Sequence, residues 1–221
     1  MHHIISPTAF TLVPWKNGLG STTQLAINEG GSIQHFDWRV SMSKVIANGP
    51  FSSFPGYQRH LVLLSGSGIR LHYMSETVDK PIALCDDLIT PLACVSFDGG
   101  LATRGELIDS EIVDLNIITR QAVLNSHVEI LSQQGQLTSR VCEWVMAYAV
   151  EGDLNISGLD VDLNDNVSNK LINAIDNKTL NSIVVVPEKH LFQIYRPISE
   201  LRFTAQKMIL IMFTKANKSP L

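Results

Sequence analysis

The sequence has few charged residues, few cysteines and no long apolar run. Charged side chains make up 17% of the 221 residues, against about a quarter in typical domains, whereas the apolar share of 45% is ordinary. This composition excludes disorder over most of the chain. The longest apolar run, Trp144 to Val150, has seven residues, where a membrane-spanning helix needs about 20. We therefore expect a soluble protein of one large domain or two small coupled ones.

Basic residues are also scarce. The chain has 17 Lys and Arg against 21 Asp and Glu, a formal net charge of −4 and a pI of about 5.9. Such a balance provides no positive surface for a polyanion, which excludes nucleic acid and anionic membranes as expected partners. The first residues, MHHIISP, lack the basic start and apolar stretch of a secretory signal, so we expect a cytoplasmic protein.

The residues that hold metals or form disulfides are few and scattered. The odd number of cysteines, without a CxxC pair, predicts buried free thiols at Cys85, Cys94 and Cys142. The only close histidines are His2 and His3, whose side chains point to opposite sides of an extended chain. We predict no metal site and no cofactor. No G-x-S-x-G motif marks a nucleophile either.

Alternating apolar and polar residues predict an all-β fold. Residues 36–43 alternate throughout, with Trp38 on one face and Arg39 and Ser41 on the other. Residues 61–73 form a predicted hairpin that turns through Gly66 and Gly68. Only 171–177 and a turn near Ile46 look helical. Many short strands and few helices are typical of sandwiches and barrels. Further predicted strands are 92–97, 113–119, 123–131, 141–150, 183–186, 191–195 and 207–214.

A weak internal repeat bears on the domain organisation. The hairpin at 61–73 resembles residues 145–156, about 85 positions later. This spacing favours a duplicated small barrel, although two unrelated hairpins could share the same turn chemistry. We expect two jelly-roll barrels, at 1–120 and 121–221, which could exchange strands.

The loop around Trp15 is the first candidate site. Its Gly18-x-Gly20 pattern is not a nucleotide loop, because Lys16 precedes the glycines and a strand rather than a helix follows. Trp15, Lys16 and Asn17 nevertheless combine an apolar wall, a cation and an amide, which suits a small anion. Alternatively, Trp15 only packs this loop against the core.

Four polar positions on two predicted strands are the next candidates. Arg39 and Ser41 share a strand face that lies towards either solvent or a barrel lumen. Asp114 and Asn116 also share a face. If both faces are luminal, Arg39 meets Asp114 and Asn116 from a neighbouring strand.

A loop rich in proline, glycine and aromatic residues, 48–58, precedes two further candidates. It could hold Arg59 and His60 at the mouth of a barrel. The alternative for His60 is a hydrogen-bonded structural histidine.

Several of these segments together resemble the HutD/Ves family. The resemblance is strongest from Trp15 to about Arg120, and it implies a bicupin, two cupin barrels in one chain, without the cupin metal ligands. Gly100 departs from the family's Phe-x-Gly-Asp pattern, which puts an acid at this position in doubt. The matching motifs are Trp15-Lys16-Asn17-Gly18-x-Gly20-x-Thr22, Phe36-Asp37-Trp38-Arg39-Val40-Ser41, Gly49-Pro50-Phe51-Ser52-x-Phe54-Pro55-Gly56-Tyr57-x-Arg59, Leu63-x-Ser65-Gly66-x-Gly68, Phe97-x-Gly99 and Asp114-x-Asn116.

The resemblance implies a binding protein for a small anionic metabolite. Members are associated with histidine utilisation, where the ligand is a formylated acidic amino acid, or with a stress response. In this hypothesis Arg39 and Arg59 bind a carboxylate, and Asp114 and Asn116 fix the polar end of the ligand. The alternative is an isomerase or hydrolase with Asp114 or His60 as proton carrier. A homodimer is compatible with either hypothesis. The full set of expected ligand-binding residues is Trp15, Lys16, Asn17, Arg39, Ser41, Arg59, His60, Asp114 and Asn116.

Overall fold

The chain folds almost entirely into β-strands. The computed structural model describes residues 1–15, 20–74, 84–159 and 183–216. Within these ranges the only helical element is a 3₁₀ turn at Pro7–Ala9, capped by Ser6, and no helix is long and apolar enough to cross a bilayer. The predicted all-β class is confirmed. The helical turn expected near Ile46 is wrong, because this residue directly follows a strand. The predicted helix at 171–177 lies outside the described residues.

The described residues divide into two compact units. The larger unit contains residues 5–128 and 213–216, and the smaller unit contains residues 1–4 and 129–212. The larger unit contains two of the four sheets.

The larger unit holds a six-stranded sheet of order β2-β3-β4-β11-β6-β9 and a four-stranded sheet of order β5-β10-β7-β8. The β6–β7 turn is tight because Gly66 and Gly68 have φ values of 101° and 120°, which favour glycine. The strands are β2 (Thr11–Pro14), β3 (Gly20–Ile27), β4 (Trp38–Val45), β5 (Gly49–Pro50), β6 (Tyr57–Ser65), β7 (Ile69–Met74), β8 (Leu84–Leu88), β9 (Cys94–Asp98), β10 (Ala102–Leu107) and β11 (Ile112–Arg120).

The remaining strands form a five-stranded sheet of order β1-β17-β14-β19-β12 and a four-stranded sheet of order β13-β18-β15-β16. The core of the smaller unit is aliphatic and aromatic, with Val145, Phe192, Phe203 and Leu210 fully buried. The strands are β1 (His2–Ile5), β12 (Leu124–Leu131), β13 (Gly135–Thr138), β14 (Trp144–Glu151), β15 (Leu154–Ser157), β16 (Val184–Val186), β17 (Leu191–Ile194), β18 (Arg202–Ala205) and β19 (Lys207–Lys215).

The core of the larger unit forms where strand β6 meets strand β7. Leu61 and Leu63 of β6 pack in one cluster with Ile69 and Leu71 of β7, and all four are fully buried. Because side chains alternate along a strand, Arg59 lies on the same face of β6 as Leu61 and Leu63. One end of this face is therefore apolar, and the other end carries a buried cation.

The cysteines differ from the expectation of buried thiols. Cys142 is buried, but Cys85 and Cys94 are exposed, and all three are free. The prediction fails for Cys85 and Cys94 because both lie on sheet edges, in strands β8 and β9, where one side of the strand remains accessible to solvent.

Candidate functional site

The larger unit contains a cavity of about 480 Å³. Its wall is formed by residues of β3, β4, β11 and β6, together with the loop that follows β5 and Gly105 of β10. This volume falls in the range of small-molecule sites. Among the expected ligand-binding residues, those that line the cavity are Trp15, Arg39, Ser41, Arg59, Asp114 and Asn116.

Strand register brings the polar side chains into cross-strand rows. Ile118 of β11 pairs with Arg39 of β4 on one side and with Arg59 of β6 on the other. The two arginines are therefore two strands apart, roughly 10 Å between Cα atoms. The next row on β4 and β11 is Ser41 with Asn116, and the one after it is Ser43 with Asp114. The face that carries Arg39 and Ser41 is thus the inner face, which the sequence left open.

Arg59 is a buried and tightly held cation. Its side chain is enclosed by the rings of Phe51, Phe54 and Phe97, with the guanidinium carbon 5.0 to 5.6 Å from the ring centroids. Nη1 donates a 3.1 Å hydrogen bond to the carbonyl of Ser52, and Nε donates a long 3.4 Å bond to Oδ1 of Asn116. Burial lowers the pKa of Arg59 to about 10, so it remains charged at neutral pH. The cation–π contacts fix its plane without neutralising it.

Arg39 provides the second cation of the cavity. It is 7% exposed, and its Nε donates a 3.0 Å hydrogen bond to Oε1 of Gln24 on β3. Burial lowers its pKa. Gln24 is neutral, so this bond orients the guanidinium and leaves its charge uncompensated.

Asp114 is the third ionisable group of the wall and the most unusual. It is fully buried, and neither carboxylate oxygen has a hydrogen-bond partner among the described residues. Its cross-strand neighbours, Ser43 and Leu63, carry no charge. Burial raises the pKa of Asp114 to about 7, against an opposing attraction from Arg59. At neutral pH this carboxyl is therefore poised between its neutral and ionised forms.

His60 lies outside the cavity, on the other face of the sheet. Its Nδ1 lies 2.6 Å from Oγ of Ser96, and its Nε2 lies 2.9 Å from Oγ of Ser126, which accepts a 2.9 Å bond from Thr119. Burial lowers the pKa of His60 to about 4. Adjacent residues of a strand point to opposite faces, so His60 cannot share the cavity with Arg59. This geometry matches the structural histidine considered as the alternative.

The Trp15 loop is described only in part. Trp15 lines the cavity, and its indole Nε1 donates a 2.8 Å hydrogen bond to Oγ1 of Thr22 on β3. The indole is thereby fixed against the sheet. The other two candidates of this loop, Lys16 and Asn17, lie outside the described residues.

Some lining residues were missed as site candidates. Thr22 and Ser43 are small polar residues on strands β3 and β4, and the period of two that places Arg39 and Ser41 on one face also places Ser43 there. Phe51 was noted only as part of a rigid loop, although it stacks on Arg59. Gly105 brings β10 close to Phe51, since a Cβ there would lie 2.6 Å from its ring. No sequence signal marked this contact.

The donor set does not fit a transition metal. Asp114 is the only carboxylate, imidazole or thiol among the described residues that line the cavity. Within the described parts of the chain no group of three His, Cys, Asp or Glu side chains could hold an ion. Protein metal sites need three or four such ligands, which the described lining residues do not supply.

The fold is of the cupin type. Among solved structures of similar fold are HutD from Pseudomonas fluorescens SBW25, at 21% identity and a TM-score of 0.72, and a protein of unknown function from Pseudomonas aeruginosa PAO1, at 20% and 0.74. Each match covers 97% of this chain and 99% of the other. YhhW from Escherichia coli also shares the fold, at 9% identity and a TM-score of 0.57, over 96% of this chain and 97% of that one.

The sequence assigns the family. The HutD family model matches residues 8–176, so the chain belongs to the HutD family. A curated relative, an uncharacterized 21.2 kDa protein encoded in the 3′ region of hutC in Pseudomonas putida, is 32% identical over 106 residues. That match covers 48% of this chain and about half, 52%, of the relative.

Proposed function

We propose that the cavity binds a small carboxylate without a metal, and that the protein senses or holds this ligand in histidine utilisation or in a stress response. A formylated acidic amino acid is the ligand we favour. The link to histidine utilisation is supported by the hutC-region relative and by HutD from P. fluorescens. The chemistry of the ligand is supported by the cavity itself.

The observation that carries the proposal is a pair of buried cations without an ion-pair partner. Among the described residues, neither Arg39 nor Arg59 forms a salt bridge, although both are less than 10% exposed and line the same cavity. An unpaired buried charge is costly, and an anionic ligand removes this cost. A guanidinium fork also matches the two oxygens of a carboxylate.

The size and lining of the cavity favour a small ligand with polar ends. The indole of Trp15 and the ring of Phe51 supply apolar wall, while Ser41, Ser43 and Asn116 supply neutral hydrogen-bonding groups. Such a mixture orients a short acid in the way typical of metabolite sites.

A thermal-shift screen with carboxylic acids of histidine degradation tests the proposal. A ligand that stabilises the wild type should stabilise Arg39→Ala and Arg59→Ala much less, because each charge-assisted contact contributes about 1.5–3 kcal/mol, or roughly tenfold to a hundredfold in affinity. Arg70→Ala is the matched control. The Arg70 side chain is 42% exposed, pairs with Asp87 within the four-stranded sheet and does not line the cavity. The proposal fails if no acid stabilises the wild type, or if Arg39→Ala retains the full stabilisation.

One observation favours a second candidate function, general acid–base catalysis. Asp114 lines the same cavity and has no hydrogen-bond partner among the residues described. Its pKa is about 7, which is the range in which a carboxyl can exchange protons at neutral pH. An isomerase or hydrolase of this kind loses turnover in Asp114→Asn while ligand affinity survives. Steady-state kinetics beside equilibrium binding separates this candidate from a pure binding protein.

A further inference from the structure

The carboxyl of Asp114 is not explained by the fold. It is fully buried, lines the cavity and, within the parts of the chain that the structure describes, has no hydrogen-bond partner for either oxygen. A buried carboxyl without partners destabilises a folded protein, most of all when it is ionised. The packing around it provides no compensation, because its cross-strand neighbours Ser43 and Leu63 are uncharged.

The charged groups that face Asp114 are few. Arg59 projects from β6 and Arg39 from β4, whereas the described lining residues of β3, β10 and the loop after β5 carry no titratable group. Tyr73 of β7 approaches Arg59, but its hydroxyl donates a 2.9 Å hydrogen bond to Asp86. Lys44 of β4 is engaged with Glu111 at 2.8 Å and does not line the cavity. The described wall therefore has two fixed positive charges and one carboxyl that can gain or lose a proton.

Charge balance then relates the ligand to the state of Asp114. With Asp114 ionised, the described wall has one net positive charge and matches a monoanion. With Asp114 neutral, this described wall has two positive charges and matches a dianion. We propose that the cavity takes up a dianionic ligand, a dicarboxylate, together with one proton, and that Asp114 carries this proton in the complex. This inference rests on the proposed function, to which it adds the uptake of a proton and the side chain that carries it.

The neutral carboxyl suits a dicarboxylate in two ways. Its O–H can donate a hydrogen bond to an oxygen of the ligand, which gives Asp114 the partner that it otherwise lacks. The dianion also pairs with Arg39 and Arg59, so the attraction of Arg59 that favours the ionised carboxylate is offset. Both effects raise the pKa of Asp114 above its value of about 7 in the empty cavity, and binding therefore takes up a proton wherever the free carboxyl is ionised.

The pH dependence follows from this difference. At pH 8 a free carboxyl with a pKa of about 7 is about nine-tenths ionised, so binding takes up roughly 0.9 proton if the bound carboxyl stays neutral. At pH 6 the carboxyl is already neutral, and uptake falls to about 0.1 proton. Affinity for the dianion consequently falls by up to about tenfold for each pH unit above 7.

Titration calorimetry at pH 8 measures the number of protons that are taken up on binding. The titration is done in phosphate and in Tris, because the two buffers differ in ionisation enthalpy. The probes are N-formyl-L-glutamate, a dianion, and N-formyl-L-glutamine, its monoanionic amide. The full-length wild type should bind the dianion with uptake of roughly 0.9 proton and the amide with near zero. Asp114→Asn is the matched variant, because Asn has nearly the same shape and cannot ionise. It should bind the dianion without proton uptake and with an affinity that is constant from pH 6 to 9.

Each outcome decides between the two proposals. Binding of N-formyl-L-glutamate without proton uptake by the wild type overturns this inference and leaves the proposed function intact. Uptake that persists in Asp114→Asn also overturns it, because another group then holds the proton. Absence of binding by both probes and by every acid of the screen overturns the proposed function, and this inference with it.

Discussion

The replacement of Asp114 by Asn should stabilise the protein at alkaline pH. In the folded state burial raises the pKa of Asp114 to about 7, from its ordinary value of 3.8. A carboxyl whose pKa is raised by folding favours the folded state only while it is neutral. Its contribution to the free energy of unfolding is complete below the unfolded-state pKa, and it is lost as the pH rises towards the folded-state pKa. Asn cannot ionise, so Asp114→Asn avoids this loss.

The size of the effect follows from the difference between the two pKa values. The rise of the pKa from 3.8 to about 7, at 1.36 kcal/mol for each factor of ten in proton affinity, corresponds to about 4 kcal/mol. The advantage of Asp114→Asn over the wild type should therefore grow from less than about 1 kcal/mol at pH 4 to about 4 kcal/mol at pH 8. Most of the change falls between pH 4 and 7 and little above it. The pKa of Asp114 already includes the attraction to Arg59, so this attraction adds nothing further to the free-energy difference between Asp114→Asn and the wild type.

Urea unfolding at a series of pH values, followed by tryptophan fluorescence, measures this difference. Trp15 and Trp38 belong to the same unit as Asp114, whereas Trp144 belongs to the other unit, so a Trp144→Phe background makes the signal specific. Asp109→Asn is the control, because Asp109 is an exposed aspartate of the same unit. A free-energy difference between Asp114→Asn and the wild type that does not change with pH would refute the reasoning, because Asp114 would then ionise as it does in the unfolded chain.

Three further predictions concern other parts of the larger unit. Burial lowers the pKa of His60 from 6.5 to about 4. The stability that neutral His60 provides is therefore complete above pH 6.5, and it falls by about 3 kcal/mol as the pH falls to 4. Urea unfolding at a series of pH values should show that His60→Gln lacks this part of the acid sensitivity. Gly105→Ala places a Cβ 2.6 Å from Phe51 and should weaken acid binding in calorimetry, because the ring that stacks on Arg59 must move. Gly68→Ala should lower the melting temperature by several degrees, since its φ is 120° and the added Cβ lies 2.6 Å from the carbonyl of Leu88.

The strands that could be predicted from the sequence are those with large apolar side chains at their buried positions. The predicted hairpin at 61–73 corresponds to β6 and β7, and the predicted run at 113–119 lies within β11. Strand β10 was missed because its buried positions are Thr103 and Gly105, which give no apolar alternation. Local patterning detects a strand only where burial requires bulky hydrocarbon side chains.

The strand β4 shows why the site was harder to predict than the fold. The alternation of residues 36–43 places Arg39 and Ser41 on one face, but polar side chains on one face usually indicate solvent. In the structure both faces are buried, with Trp38 and Val40 on one and Arg39 and Ser41 on the other. Only the register with β3 and β11 shows that the polar face is the inside of a cavity.

The importance of Asp114 depends on pairing that a single sequence does not contain. The two-residue period places Asp114 and Asn116 on one face, but it does not say which residues of β4 and β6 lie opposite them. A basic residue at either position opposite Asp114 would form an ion pair and bring the pKa of the carboxyl back towards or below its usual value. The residues there are Ser43 and Leu63. The absence of a cross-strand cation, rather than the presence of an acid, is what leaves this carboxyl able to exchange a proton near neutral pH.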